Sequence, residues 1–278
     1  MKELQEEKEN NLILDKESLI EREKVEKERL VKYDNTFNKT SLSVLTKIQS
    51  DILMSVLEKM GKEVEIDEDG NKCYIARYEF KEIRDLIDSK NMQAHKIKKV
   101  FDELLNTQVE FFGDGIYTKA NLFSSYSLTD RSTAEIVLSS QMTSKMVLGK
   151  SKYTILQLEE YVSLKTKYSK ELYRLLRQFR SSGLLIIKKE DLLSALKPPK
   201  SYDEYNFIQK ALTPAIKDVS RYFEDLKIVN LEKRGNGLPK VCKFTFKKHV
   251  KDKGDKRIGK NVSEEQELLE YIMKNGGS

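Results

Sequence analysis

Asn206, Lys210, Thr213, Lys217 and Ser220 recur at spacings of 4, 3, 4 and 3, with Arg221 beside the last of them. On a helix this spacing lines one face. Long donors there can reach guanine edges and phosphates, and short hydroxyls permit close approach, so the chemistry on offer is recognition of a nucleic-acid major groove. Lys167, Lys170, Arg174 and Arg177, at spacings of 3, 4 and 3, form a second row. Cations on one face without matching carboxylates are costly unless an anion compensates them, and a phosphate backbone would do so. Replacing Arg174 or Arg177 is therefore expected to weaken binding to every DNA sequence alike and to reduce the salt slope by about one. Lys233, Arg234 and Lys240 supply a third cluster, where a hairpin wing would track a minor groove or its phosphates. Each cluster alone could be a solvated face of a lysine-rich chain; three elements aiming cations outward favour DNA.

Catalytic constellations are missing. Only His95 and His249 are present, with no short-spaced histidine pair for a metal, and no nucleophile or orienting carboxylate stands near His95 in the sequence. His95 and Cys73 read as structural or incidental. Gly254 to Lys260 has the spacing of a phosphate loop, but Asn261 stands where a magnesium-holding Ser or Thr belongs, and a charge run rather than a strand precedes it. Asp67 to Asn71 superficially resembles a calcium loop, yet Lys72 occupies its glycine position and Tyr78 its bidentate glutamate position. No enzyme activity, cofactor or metal is expected.

The 278 residues carry 51 basic and 45 acidic side chains, a net charge of +6 that is unevenly spread. Residues 151–250 hold 21 basic against 11 acidic residues, net +10, whereas residues 36–150 stand at −1, 1–35 at −3 and 251–278 at zero. One stretch faces a polyanion and the remainder serves another purpose. Two distant cysteines outside any C-x-x-C spacing, and a charged rather than apolar start, lead to the expectation of a cytoplasmic protein. The longest apolar run, Leu184 to Ile187, is far too short to span a bilayer.

The elements that must position these residues repeat in order. Residues 1–35 read as a charged leader, helical or disordered. Apolar positions at spacings of 3 and 4 predict a helix over 40–60, capped by Thr40 or Ser41. A hairpin follows (63–66 and 72–78), then a short helix over 80–88 and a longer one over 92–106 that turns Gln93, His95, Lys96 and Lys99 outward. Strands are predicted over 108–112, 116–126 and 135–139. A second round places a helix over 163–180, a strand over 184–188, a helix over 189–196, and a helical stretch over 203–223 restarted at Thr213-Pro214. Strands over 226–233 and 241–247 close it. The expected fold is α+β: two tandem winged helices, 36–150 and 151–250, between a leader and a charged tail, 251–278.

Two strings carry a family likeness. Leu164-Lys165-Thr166-Lys167-Tyr168-Ser169-Lys170-Glu171-Leu172-Tyr173-Arg174-Leu175-Leu176 and Ala211-Leu212-Thr213-Pro214-Ala215-Ile216-Lys217-Asp218-Val219 resemble the second winged helix of the iteron-binding plasmid replication initiators. Thr40 to Lys59, Phe80 to Leu105 and Asn121 to Ser125 are similar to the first, so that the resemblance spans about Phe37 to His249. It implies a non-catalytic tandem winged-helix protein that binds directly repeated sites at a plasmid origin and helps open the duplex. It also implies recruitment of the host initiator and replicative helicase, and repression of its own gene as a dimer joined through the first unit. By position, Lys210, Thr213, Lys217, Ser220 and Arg221 fall on that family's principal DNA-reading helix, with a weaker contact expected from Lys96 and Lys99. A winged-helix transcriptional repressor without a role in replication is the alternative.

Overall fold

The computed structural model describes residues 29–60, 64–66, 72–86, 93–113, 116–129, 132–140, 142–143, 153–229 and 237–248. Among them no helix is long and apolar enough to cross a membrane. The first element corrects the expected leader: Leu30–Asp34 is strand β1, whose Val31 and Tyr33 point inward while Leu30 and Lys32 face out. That alternation has the period of a half-buried strand. A 3-10 turn, Asn35–Lys39, follows.

Helix α1 (Lys47–Lys59) starts later than the apolar pattern suggests. Thr46 caps it in a reciprocal box: the Gln49 N–H donates to Thr46 Oγ1 at 3.3 Å, and the Thr46 N–H donates to Gln49 Oε1 at 2.9 Å. The expected caps are engaged elsewhere, Ser41 Oγ donating to the Ala195 carbonyl at 2.7 Å and the Thr40 carbonyl accepting from Arg174. Then come β2 (Val64–Ile66), β3 (Lys72–Glu79), α2 (Phe80–Leu86) and α3 (Ala94–Leu105). The hairpin β4 (Gln108–Gly113) and β5 (Ile116–Asn121) leads to β6 (Phe123–Leu128) and β7 (Thr133–Leu138). One strand was expected over 116–126. It divides at Leu122, which is buried and whose N–H donates to the Thr107 carbonyl at 3.1 Å.

Strand β8 (Tyr153–Gln157) pairs antiparallel with β1, Val31 opposite Leu156 and Tyr33 opposite Thr154. The helix expected over 163–180 starts later, at Lys167, and a further helix that was not expected precedes it. Helix α4 (Leu158–Ser163) is separated from α5 (Lys167–Gln178) by buried Leu164 and by Thr166, whose hydroxyl accepts the Ser169 N–H at 3.0 Å. Beyond lie β9 (Leu184–Lys188), α6 (Lys189–Leu196), α7 (204–219), β10 (Lys227–Val229) and β11 (Val241–Thr245). In each unit the strand that runs directly into a short helix pairs with that unit's last strand: β3, before α2, with β7, and β9, before α6, with β11. The sheets accordingly read β2-β3-β7-β6 and β10-β11-β9. One continuous apolar core runs from Val31 through both units to Phe246.

Helix α7 consists of Glu204–Phe207, a π-helical turn Ile208–Leu212, and Thr213–Val219. A restart at Thr213 was expected; instead Thr213 keeps helical dihedrals and its N–H reaches back five residues to the Ile208 carbonyl. Pro214 explains this, since it has no N–H and its ring would clash with the carbonyl four residues earlier in a regular α-helix. The wider turn keeps the helix continuous.

Gly183 ends the α5 region with φ +69°, and a Cβ there would lie 2.5 Å from the Phe246 carbonyl oxygen. Gly183→Ala is expected to lower the unfolding free energy in urea by about 1–3 kcal/mol, with no change contradicting this reading of the turn.

Candidate nucleic-acid interface

The row on α5 does not face solvent. Every side chain from Ser169 to Arg177 is buried; Lys170, Arg174 and Arg177 are 1%, 1% and 5% exposed. The expected outward phosphate contacts of these three residues are therefore corrected: their anions are internal. Lys170 Nζ donates to Asp51 Oδ1 of α1 at 2.5 Å and to the Tyr161 carbonyl at 2.6 Å, and it sits 4.1 Å from the centre of the Tyr161 ring. Lys47 bonds the other Asp51 oxygen at 3.0 Å. Burial draws the Lys170 ammonium down to about 8, against the opposing pull of Asp51. Arg174 donates to the carbonyls of Phe37 at 2.7 Å and Thr40 at 3.2 Å, and to Glu171 Oε2 at 3.0 Å. The guanidinium lies 4.6 Å from the Phe37 ring centre. Glu171 in turn accepts the Leu42 N–H at 3.1 Å. Arg177 Nε donates to the Ile155 carbonyl of β8 at 2.9 Å, and its guanidinium lies 3.6 Å from Glu160. Lys167, half-buried, turns its ammonium toward the Ser43 carbonyl at 3.5 Å. Lys170 and Arg174 thus clamp α1 and the 3-10 turn onto the second unit, while Arg177 ties α5 to β8 and α4 within it.

Helix α7 keeps an open face. Lys210, Thr213, Lys217, Ser220 and Arg221 are all exposed, and Phe207, Ile208, Ala211, Leu212, Ala215 and Val219 are buried behind them. Lys210 lies 5.6 Å from the centre of the Tyr202 ring. Lys217 makes no ion pair among the described residues. The last two members are engaged within the chain. Ser220 Oγ donates to the Lys217 carbonyl at 2.9 Å. Arg221 pairs with Asp218 Oδ1 at 2.7 Å, donates to the Asp218 carbonyl at 3.0 Å and reaches the Ser163 carbonyl at 3.4 Å. Asp218 also accepts the Lys165 N–H at 2.8 Å, so this end of α7 is braced against the α4–α5 corner.

Lys240 is exposed just before β11, and its carbonyl accepts the Lys189 N–H at 2.9 Å. Lys233 and Arg234 lie outside the described residues, as do the phosphate-loop-like and calcium-loop-like segments, most of the leader and the tail. On α3, Lys96, Lys99 and His95 are exposed, while Lys98 pairs with Asp102 at 2.9 Å. The sequence pattern assigned no role to exposed Lys165, Lys197 and Lys200, nor to Tyr205 and Gln209 at the start of α7. The Pro198-Pro199 pair between two lysines was the available signal for that loop. Cys242 is buried, which pushes its thiol up to about 11 and leaves it unreactive. Among the described residues no group of acidic, histidine and cysteine side chains could hold a metal.

Residues 30–177, more than half of the chain, match the family described as Initiator Replication protein, WH1. This chain belongs to that initiator family. Its match begins at the first residue of β1 and ends within α5, so the matched residues span those of the clamp just described. A similar relative is the probable replication protein rep of Bifidobacterium longum (strain NCC 2705), 27% identical over 198 residues. The match covers 68% of this initiator and 64% of the relative, so it spans just under two thirds of the relative's length. Among solved structures, the Pi initiator protein, crystallised in complex with iteron DNA, superposes with a TM-score of 0.62 at 18% identity, covering 81% of this chain and 99% of that one. The fold is therefore α+β, two tandem winged helices.

Removing one partner of a buried pair strands a charge, whereas an exposed lysine is nearly neutral to remove. Arg174→Ala should lower the unfolding free energy by about 3–5 kcal/mol in denaturant titrations, and Lys217→Ala by less than about 0.5 kcal/mol. Equal stability of the two variants would contradict the burial assignment.

Proposed function

We propose that this protein initiates plasmid replication by binding directly repeated double-stranded DNA sites, with α7 in the major groove. The observation that carries the reading is the open face of α7. It holds exposed Lys210, Thr213 and Lys217 with no ion pair among the described residues, in the unit carrying the +10 excess. Membership of the initiator family supports it, and so does the likeness in fold to a protein crystallised with iteron DNA. Lys240, Lys96 and Lys99 add phosphate contacts in this reading, and Lys233 and Arg234 act at the tip of the wing. The first unit, residues 36–150, supplies the weaker DNA contact and self-association. Opening of the adjacent duplex, recruitment of the host initiator and replicative helicase, and repression by the dimer belong to the same proposal. The protein acts by binding rather than by catalysis.

The reading is tested with the full chain and DNA flanking its own gene, in fluorescence anisotropy titrations at several salt concentrations. Tight binding to a duplex carrying short direct repeats is expected, with affinity falling as salt rises. Lys217→Ala should weaken that binding by about 1–3 kcal/mol. Protection of a single palindrome alone would favour a repressor. Nicking of supercoiled DNA with magnesium and ATP, abolished by one substitution, would overturn a purely binding role.

A further inference from the structure

Tyr205, Gln209, Thr213 and Lys217 are spaced by four along α7, Arg221 follows in the turn just beyond it, and all five are exposed. In an uninterrupted α-helix, four residues turn about 400°, so such a row drifts by about 40° per step. Over three steps Lys217 would lie about 120° away from Tyr205, well off its face. The π turn Ile208–Leu212 takes up one extra residue and removes roughly one residue's rotation, about 100°, from that drift. Pro214, by denying the regular hydrogen bond, thereby brings the two ends of the row onto one face.

The row is not uniform along its length. At its C-terminal end, Arg221 is held by Asp218 and the Ser163 carbonyl, and Ser220 by the Lys217 carbonyl. At its N-terminal end, Tyr205 is 54% exposed, and Gln209 is exposed with a side chain that makes no hydrogen bond among the described residues. The N-terminal half of a recognition helix is the part that meets base edges. A glutamine amide presents one donor and one acceptor in a plane, the complement of adenine N7 and N6 in the major groove, and an aromatic side chain suits the thymine methyl.

Resting on the proposed DNA binding, we infer that Gln209 and Tyr205 open the base-reading row, Gln209 reading an adenine and Tyr205 a neighbouring thymine methyl. Arg221 instead positions the helix. An exposed glutamine and tyrosine with no role would leave the preferred sequence unchanged when replaced.

The test is selection of binding sites by the full chain from a randomised DNA duplex library, followed by sequencing. Wild type should enrich a motif with an invariant adenine. Gln209→Ala should flatten that column by tenfold or more. Gln209→Glu should switch the same column to cytosine, whose amino group a carboxylate accepts. Tyr205→Ala should relax the adjacent thymine, and Lys217→Ala a different column. All three positions are exposed, and circular dichroism with thermal melts checks that the variants fold. A wild-type motif reproduced unchanged by the Gln209 and Tyr205 variants would overturn the inference while leaving DNA binding intact. No enriched motif even with wild type would instead overturn the proposed function and this inference with it.

Discussion

The architecture depends on a guanidinium that has no access to water. Arg174 donates to the carbonyl groups of Phe37, which also accepts the Thr40 N–H that closes the 3-10 turn, and of Thr40, and it neutralises Glu171 on its own helix. Glu171 holds the Leu42 N–H, and one turn earlier Lys170 meets Asp51 of α1. These groups are nine-tenths or more buried, so each would carry a desolvation cost of several kcal/mol if its partner left. The two winged units are therefore joined by a buried polar network set inside a continuous apolar core.

That network determines which cations are left for a ligand. Lys170 and Arg174 are spent on the join between the units, Arg177 on β8 and α4 within the second unit, and Arg221 on the brace between α7 and the α4–α5 corner. What faces outward on the second unit is narrower than its formal charge of +10, and it is concentrated on α7, the loop before it and the hairpin. A rigid scaffold holding a short exposed row is the arrangement a groove-reading helix needs, because a row that wandered relative to the core could not keep register with base edges.

Much of this was legible in residue patterns. The apolar periodicities of α1, α3 and α7, the hairpin residues, and the repeated order of elements identify two winged helices. Of the row read on α7, Lys210, Thr213 and Lys217 stay open, whereas the half-buried Asn206 donates to Asp203 and Ser220 and Arg221 are engaged within the chain. The α5 row shows where spacing fails: a row of cations looks the same whether its anions are phosphates or lie 119 residues away in the chain, as Asp51 does from Lys170. Only the fold brings Asp51, the Phe37 carbonyl and the Ile155 carbonyl to that face. Strand β1 was masked by the charged segment before it, although Val31 and Tyr33 alternate as a strand should. The π turn was hidden because a proline inside a helical pattern signals a restart as readily as a widened turn. Its consequence is that Tyr205 and Gln209 went unassigned.

The central claim is that the cations of this protein are divided by burial, Lys170 and Arg174 of α5 holding the two units together and those of α7 facing DNA. Lysine acylation of the folded full chain, mapped by mass spectrometry with and without a duplex carrying the repeats beside its gene, measures that division directly. Lys210 and Lys217 should react readily in the free protein and be shielded by DNA, while Lys170 should stay unreacted in both states. Ready modification of Lys170 in the folded protein, or Lys217 reactivity unchanged by bound DNA, would contradict the account.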